Sequence, residues 1–153
     1  MATVEESVVV NVPLRTAYNQ WTQFEEFPQF MEGVEQVRQL DDKRLEWVAQ
    51  IGGKREEWEA EITEQRPDER VAWTSRTGKP NAGAVTFHRI SDDQTKVMVQ
   101  IDYEPEGMVE KVGDAMGLVE RRTKGDLQRF KEFIESRGTE TGGWREEIDQ
   151  ESV

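Results

Sequence analysis

The feature that most constrains the fold is a change of hydrophobic period along the chain. Between residues 4 and 103, apolar residues recur at every second position in short segments that are separated by turn residues. Such alternation is typical of strands that bury one face of a sheet. Over residues 108–137 the period becomes helical, which predicts one long amphipathic helix. The sequence therefore predicts a one-sided sheet with a single long helix to cover it.

The alternating segments predict seven strands. The first, residues 4–12, is followed by a short helix over Leu14–Trp21 and a second short helix or turn over residues 24–31, closed by Gly33. The other six strands are predicted at residues 34–40, 44–51, 54–65, 71–75, 83–88 and 97–103. Short turns such as Gly52-Gly53 join them, and short connections require antiparallel neighbours because parallel pairing needs a long crossover.

These elements predict an α+β helix-grip fold. A seven-stranded curved antiparallel sheet would wrap around the long C-terminal helix, and the two short helices after the first strand would close one end. We expect residues 1–137 to form this single domain. Residues 138–153 lack periodicity and carry five acidic residues against one arginine, so we expect an acidic, disordered tail.

Four local segments resemble a known family in their order and spacing. They are Val12-Pro13 leading to Tyr18 and Trp21, residues 24–30, residues 83–87 with 95–97, and residues 103–107. The chain resembles the START-like (SRPBCC, birch-pollen-allergen-like) superfamily, in particular its bacterial polyketide cyclase/dehydrase branch. It departs from that pattern at Gln23, where relatives often carry an aspartate. The resemblance implies a cavity that binds lipids, isoprenoids, polyketides or plant hormones.

Inward-facing residues of the predicted fold would line such a cavity. The wall candidates are Trp47, Trp58, Trp73, Phe87, Val99, Ile101 and Tyr103. The helix would contribute Met108, Val112 and Met116, with Phe27, Phe30 and Met31 at the mouth. The same residues also suit a solid core, since each tryptophan buries about 150–250 Å².

Few inward positions are polar. Glu56 and Tyr103 are the candidates for catalysis, and Ser75 and Thr123 are the other inward polar side chains. A glutamate buried at position 56 suits general-base catalysis, whereas one at a solvated strand end does not. Tyr103 is suited to donate a hydrogen bond to a ligand carbonyl.

Composition argues against several classes of function. The chain has no cysteine and one histidine, His88, predicted on the outer face of the sheet, so we expect no metal site and no cofactor. A net charge of -12 disfavours nucleic acid and anionic membranes. No apolar run approaches the roughly 20 residues of a membrane helix. No secretory signal is evident, and we expect a cytoplasmic protein without stable membrane insertion.

Three functional interpretations follow. The chain binds or carries an apolar small molecule such as a lipid, an isoprenoid or quinone, or a polyketide-like compound. Alternatively, it is a cyclase or dehydratase that uses the same cavity. The third interpretation is a protein-interaction module that uses the acidic outer face of the sheet or the tail around Trp144.

Overall fold

The computed structural model describes residues 2–51, 53–78, 81–103 and 112–148. The strands are β1 (Ala2–Val10), β2 (Val34–Gln39), β3 (Arg44–Ile51), β4 (Lys54–Arg66), β5 (Arg70–Ser75), β6 (Asn81–Ser91) and β7 (Gln94–Tyr103). The helices are α1 (Leu14–Trp21), a 3₁₀ helix (Phe24–Gln29) and α2 (Val112–Arg137). The elements follow the predicted order, and the predicted start of the long helix, 108–111, lies outside the described residues.

The seven strands form one antiparallel sheet in the order β1-β7-β6-β5-β4-β3-β2. Strands β2 to β6 each pair with the next strand along the chain because short turns join them. Strand β1 instead pairs with β7, from Ala2 opposite Tyr103 to Val10 opposite Thr95. The connection that carries α1 and the 3₁₀ helix therefore runs from one edge of the sheet to the other. The predicted helix-grip fold with a curved seven-stranded sheet is confirmed.

The inner face of the sheet packs against α2. Burial alternates along β1, where Val4 and Val10 are buried. From α2, Phe130 and Ile134 are both 0 % exposed. They belong to one buried cluster with strand residues that include Val10, Leu45, Ile62, Val71, Val85 and Val97. Because a fully buried side chain of this size contributes about 1.5–3 kcal/mol, this contact is the main stabilising layer.

Aromatic rings fill one end of the space between the sheet and α2. Trp21 and Phe30 contact Phe130 of α2, at centroid distances of 5.1 and 5.2 Å. Tyr18 meets Phe87 of β6 edge-on at 5.4 Å. Burial raises the pKa of the Tyr18 hydroxyl to about 12. We call this ring-filled region, made by these five residues, the closed end.

A β-bulge in β4 changes which residues face the core. The pairing of β4 with β5 shifts between Ile62 and Glu64. Strict alternation from Ile62 would place Gln65 on the outer face, but the extra residue turns it inward, where it is 1 % exposed.

The segment 139–148 packs against the domain, in contrast to the predicted disorder. Ile148 pairs with Gln65 of β4 through backbone hydrogen bonds of 2.7 and 2.8 Å, and Ile148 is 6 % exposed. The backbone N–H of Trp144 donates to the Thr22 hydroxyl at 3.1 Å. Trp144 and Ile148 therefore anchor this segment on the hydrophobic core. The remaining tail, 149–153, lies outside the described residues.

Polar residues of α1 complete the anchoring of this segment. Asn19 is 6 % exposed and donates to the carboxylate of Glu140 at 2.8 Å. Arg145 donates to Asn19 Oδ1 at 2.8 Å, pairs with Asp68 at 2.8 Å and lies 5.4 Å from the centroid of the Tyr18 ring. These bonds satisfy polar groups on α1 that would otherwise be buried without partners.

Replacing Ile148 with alanine is expected to lower the free energy of unfolding by about 2 kcal/mol, because it removes buried apolar volume. Urea unfolding followed by circular dichroism measures this change. Glu147→Ala is the matched control, since Glu147 is exposed and its loss should change stability by less than about 0.5 kcal/mol. Equal, negligible effects of both substitutions would mean that the segment does not pack on the domain.

Candidate functional site

Beyond the closed end, the inner face of the sheet carries apolar side chains that the core only half covers. These are Trp58 on β4, Trp73 on β5, and Ile101 and Tyr103 on β7, which we call the half-buried patch. Pairing joins its members, since Trp73 lies opposite Gly83 and Gly83 lies opposite Ile101. Trp73 and Ile101 are therefore neighbours on the concave side of the sheet, and Trp58 lies further along β4 on the same face, two inward positions beyond Ile62, which pairs with Trp73.

Two tryptophans form the β3–β4 part of this region. Trp47 and Trp58 are directly paired across the strands, and their rings stack with centroids 5.7 Å apart and planes at 8°. Trp47 is 8 % exposed and contacts Phe27 at 5.6 Å, so it belongs to the core. Trp58 continues the stack outward and presents the half-covered face.

The ring of Trp73 lies flat on the sheet because residue 83 has no side chain. A Cβ atom at Gly83 would lie 2.4 Å from Cζ2 of Trp73, far inside van der Waals contact. A glycine at an inward strand position is a sequence signal of such close approach. Gly83 therefore sets the orientation of the Trp73 ring in the half-buried patch.

The predicted wall residues thus divide into two groups. Phe87 and Val99 are 5 % exposed and are packed in the core, like Trp47. The members of the half-buried patch retain accessible surface. The structure brings the second group together on one side and gives the first group a packing role.

Two of the residues predicted at the mouth around the 3₁₀ helix instead pack at the closed end: Phe30 belongs to it, and Phe27 contacts its Trp21 ring. Phe27 and Phe30 are 3 % and 1 % exposed. Both rings turn toward Trp21, at 5.3 and 5.6 Å, because the 3₁₀ helix folds back onto α1. Of the three predicted mouth residues, only Met31 is half-buried.

The helix side of the predicted cavity is described only in part. Met108 lies outside the described residues. Val112 begins α2 and Met116 lies within it, as predicted, but the described side chains of α2 begin at Val119.

Tyr103 contributes a polar atom to the half-buried patch. Its hydroxyl is buried and has no hydrogen-bond partner among the residues that the structure describes. Burial raises the pKa of this hydroxyl above its ordinary value. A phenol keeps its proton at neutral pH even at its ordinary pKa, so this hydroxyl can donate a hydrogen bond to a ligand.

The other predicted polar candidates are less available. Glu56 is half-buried and lies opposite Ala49. Ser75 accepts a hydrogen bond from the backbone N–H of Asn81 at 3.0 Å. Thr123 donates to the carbonyl of Val119 at 2.7 Å, so the backbone of α2 satisfies its hydroxyl.

The outer face of the sheet carries the single histidine of the chain. His88 is exposed on the outer face, where its Nε2 lies 3.1 Å from the Thr86 hydroxyl. Within the described ranges, no three histidine or acidic side chains are grouped to hold a metal ion. The helices of the described part include none that is long and apolar enough to cross a membrane.

Sequence reasoning missed a charged cluster on the flank of α2. Asp126 accepts a hydrogen bond from the backbone N–H of Glu32 at 2.9 Å and pairs with Arg129. Burial is the largest influence on Asp126 and raises the pKa of its carboxyl. The Nε of Arg129 donates to the carbonyl of Phe30 at 3.0 Å. Asp126 and Arg129 each directly precede an apolar residue of α2, Leu127 and Phe130. Charged residues at the border of the apolar stripe are the signal that could have identified the cluster.

Comparisons with known proteins agree with this architecture. Residues 10–132 match the family model described as polyketide cyclase/dehydrase and lipid transport. An uncharacterised 17.2 kDa protein from the melC2–rnhH intergenic region of Streptomyces lincolnensis is 62 % identical over 146 residues, which cover 95 % of this chain and 97 % of that protein.

Solved structures share the fold. The crystal structure of DR_A0006 from Deinococcus radiodurans has a TM-score of 0.70 at 28 % identity, and the match covers 89 % of this chain and 99 % of that one. The Zhui aromatase/cyclase from Streptomyces sp. R1128 has a TM-score of 0.76 at 15 % identity, with 94 % of this chain and 99 % of that one covered.

Gly83→Ala is expected to displace the Trp73 ring, because the new methyl group would overlap it. Overpacking of this kind lowers the free energy of unfolding by about 1–3 kcal/mol, and tryptophan emission should shift with it. Gly125→Ala on α2 is the matched control. Its methyl group would meet only the flexible end of Arg129, at 3.0 Å, so stability should hold or rise by up to about 1 kcal/mol. Equal losses from both substitutions would contradict the described ring position.

Proposed function

Because the chain belongs to the polyketide cyclase/dehydrase and lipid transport family, we propose that it binds or carries an apolar small molecule against the half-buried patch. The START-like resemblance seen in the sequence is confirmed, and the fold is one that binds hydrophobic ligands. Lipids, isoprenoids or quinones, and polyketide-like compounds are the ligand classes that we propose. The absence of nucleic-acid partners and the cytoplasmic location stay predictions from the sequence.

The distribution of burial along one sheet face carries this proposal. At the closed end, aromatic rings from three elements fill the interior. On the same face, Trp58, Trp73 and Ile101 stay half-buried, although their size would let them complete a core. Apolar surface on a concave face, with few polar groups, is the usual composition of a small-molecule site.

A neutral apolar dye tests the proposed site. Nile red is expected to bind the full chain. Trp58→Ala should raise the dissociation constant for the dye about tenfold, because losing a half-buried indole removes roughly 1.4 kcal/mol of binding free energy. Trp144→Ala is the matched control, since Trp144 lies in the C-terminal segment and not in the patch. Dye fluorescence titration measures both, with urea unfolding as a check on each fold.

Native mass spectrometry of the purified protein complements the titration. A co-purified apolar molecule that Trp58→Ala loses and Trp144→Ala retains would support the proposal. Failure of the wild-type protein to bind any neutral apolar compound would overturn it.

The buried hydroxyl of Tyr103 favours a second candidate function. A protonated phenol without a partner among the described residues is suited to donate to a substrate carbonyl. The Zhui protein, which shares the fold, is an aromatase/cyclase. The same concave surface would then hold a polyketide-like chain during cyclisation or dehydration.

This second function predicts that a linear poly-β-ketone loses water when it is incubated with the protein. Tyr103→Phe and Glu56→Gln are expected to abolish that product while Nile red binding stays within about twofold, because neither change removes apolar contact area. Mass spectrometry of the reaction mixture measures the product. Undiminished product from Tyr103→Phe would exclude the phenol from the mechanism.

The third interpretation, a protein-interaction module, has less support at the tail. Trp144 packs against the hydrophobic core, and its backbone is bonded to Thr22. The side chain proposed to meet a partner is therefore engaged by the domain itself.

A further inference from the structure

We infer that Arg122 binds the acidic head group of an amphiphilic ligand whose apolar part lies on the half-buried patch. The inference rests on the binding function proposed above and narrows the ligand to a carboxylic acid with an apolar chain. Arg122 lies on the flank of α2 and is half-buried.

Among the side chains that the structure describes, which on α2 begin at Val119, none forms an ion pair or hydrogen bond with the guanidinium of Arg122. Its neighbours on α2 differ sharply. Arg129 pairs with Asp126 and also lies 3.6 Å from the carboxylate of Glu32. Asp126 therefore already has a cation and a backbone donor, and Arg122 lowers its pKa less than Arg129 does. Among the described side chains, Arg122 is thus a half-buried cation whose donors are not used.

The position of Arg122 joins this cation to the apolar site. A Cβ atom at Gly33 would lie 3.7 Å from Nη2 of Arg122, so the guanidinium sits over the bare backbone just before β2. The flanking residues Met31 and Val34 are half-buried, and Val34 lies opposite Ala49. Ala49 shares a face of β3 with Trp47, two residues away, and the Trp47 ring stacks on the ring of Trp58 in the half-buried patch. The cation thus stands beside apolar side chains at the β2–β3 edge of the concave face.

Charge gives this position a selective role. The chain carries a net charge of -12, so its overall field opposes the approach of an anion. A local guanidinium reverses that effect at one point, and its planar fork matches a carboxylate through two parallel hydrogen bonds. An amphiphile with an acidic head would satisfy the donors of Arg122 and the apolar patch together. A neutral lipid would leave those donors unpaired.

Dodecanoate and dodecan-1-ol, which differ only in the head group, test the inference on the full chain. The wild-type protein is expected to bind both compounds. Arg122→Met should weaken the binding of dodecanoate on the order of ten- to a hundredfold, as expected for the loss of charge-assisted hydrogen bonds. The affinity of Arg122→Met for dodecan-1-ol should stay within about twofold of that of the wild type, because the alcohol has no carboxylate to pair with Arg122. Arg122→Lys keeps the positive charge but not the planar guanidinium. Its dissociation constant for dodecanoate should therefore lie between those of the wild type and Arg122→Met. Isothermal titration calorimetry measures each dissociation constant.

Arg121→Met is the matched control, because it removes the same charge from an exposed neighbouring position on α2. Dodecanoate affinity that is unchanged in Arg122→Met, or reduced as much by Arg121→Met, overturns the role of Arg122. Equal losses for the acid and the alcohol do so as well. In each case binding of the alcohol by the wild type leaves the apolar site standing. Binding of neither compound would overturn the site and the inference together.

Discussion

The packing of α2 on the concave face of the sheet is the interaction on which the other features depend. Phe130 is its centre, because it contacts Trp21 and Phe30 from the β1–β2 connection and is itself fully buried. That connection runs between β1 and β2, the two edge strands of the sheet. Phe130 therefore packs the connection between the edges against α2. Without α2, seven strands would expose one apolar face to water.

This arrangement concentrates stability at the closed end. The rings there pack edge-on against one another, and the C-terminal segment adds backbone pairing at Gln65 from outside. The half-buried patch lies on the same strands but contributes less to folding, since its side chains keep part of their surface in contact with solvent. A region that folding does not require to be filled is free to take a ligand. The division of one face into a packed part and an open part therefore links the fold to the proposed function.

Much of the fold was predictable because its signals are local. Period-two alternation and turn residues located all seven strands, and β3 has the predicted bounds, Arg44–Ile51. The β4 bulge has no comparable signal, because one extra residue in a charged stretch leaves the pattern on both sides intact. The burial of Phe27 depends on how the 3₁₀ helix meets α1, and that of Ile148 on a strand far away in sequence. Such tertiary contacts override what composition alone indicates.

The candidate site was predictable in its apolar part and not in its charges. Inward alternation identified Trp58, Trp73 and Ile101, since face and size follow from the strand pattern. The role proposed for Arg122 depends on which carboxylates other arginines already occupy, and a sequence does not record that allocation. Spatial neighbours, not residue types, decide which charge is left over.

The choice between binding and catalysis turns on the chemical state of Tyr103. A tyrosine hydroxyl holds its proton at neutral pH and acts as a donor, and burial raises the pKa of this one above its ordinary value. A donor stabilises the negative charge that develops on a carbonyl oxygen, but cyclisation or dehydration also needs a proton to be removed from carbon. Acceleration would require a second group that removes a proton, and Glu56, half-buried opposite Ala49, is the carboxylate that the sequence offers on the same face. A phenol without such a partner makes a selective binding site, and the same phenol with one makes an active site.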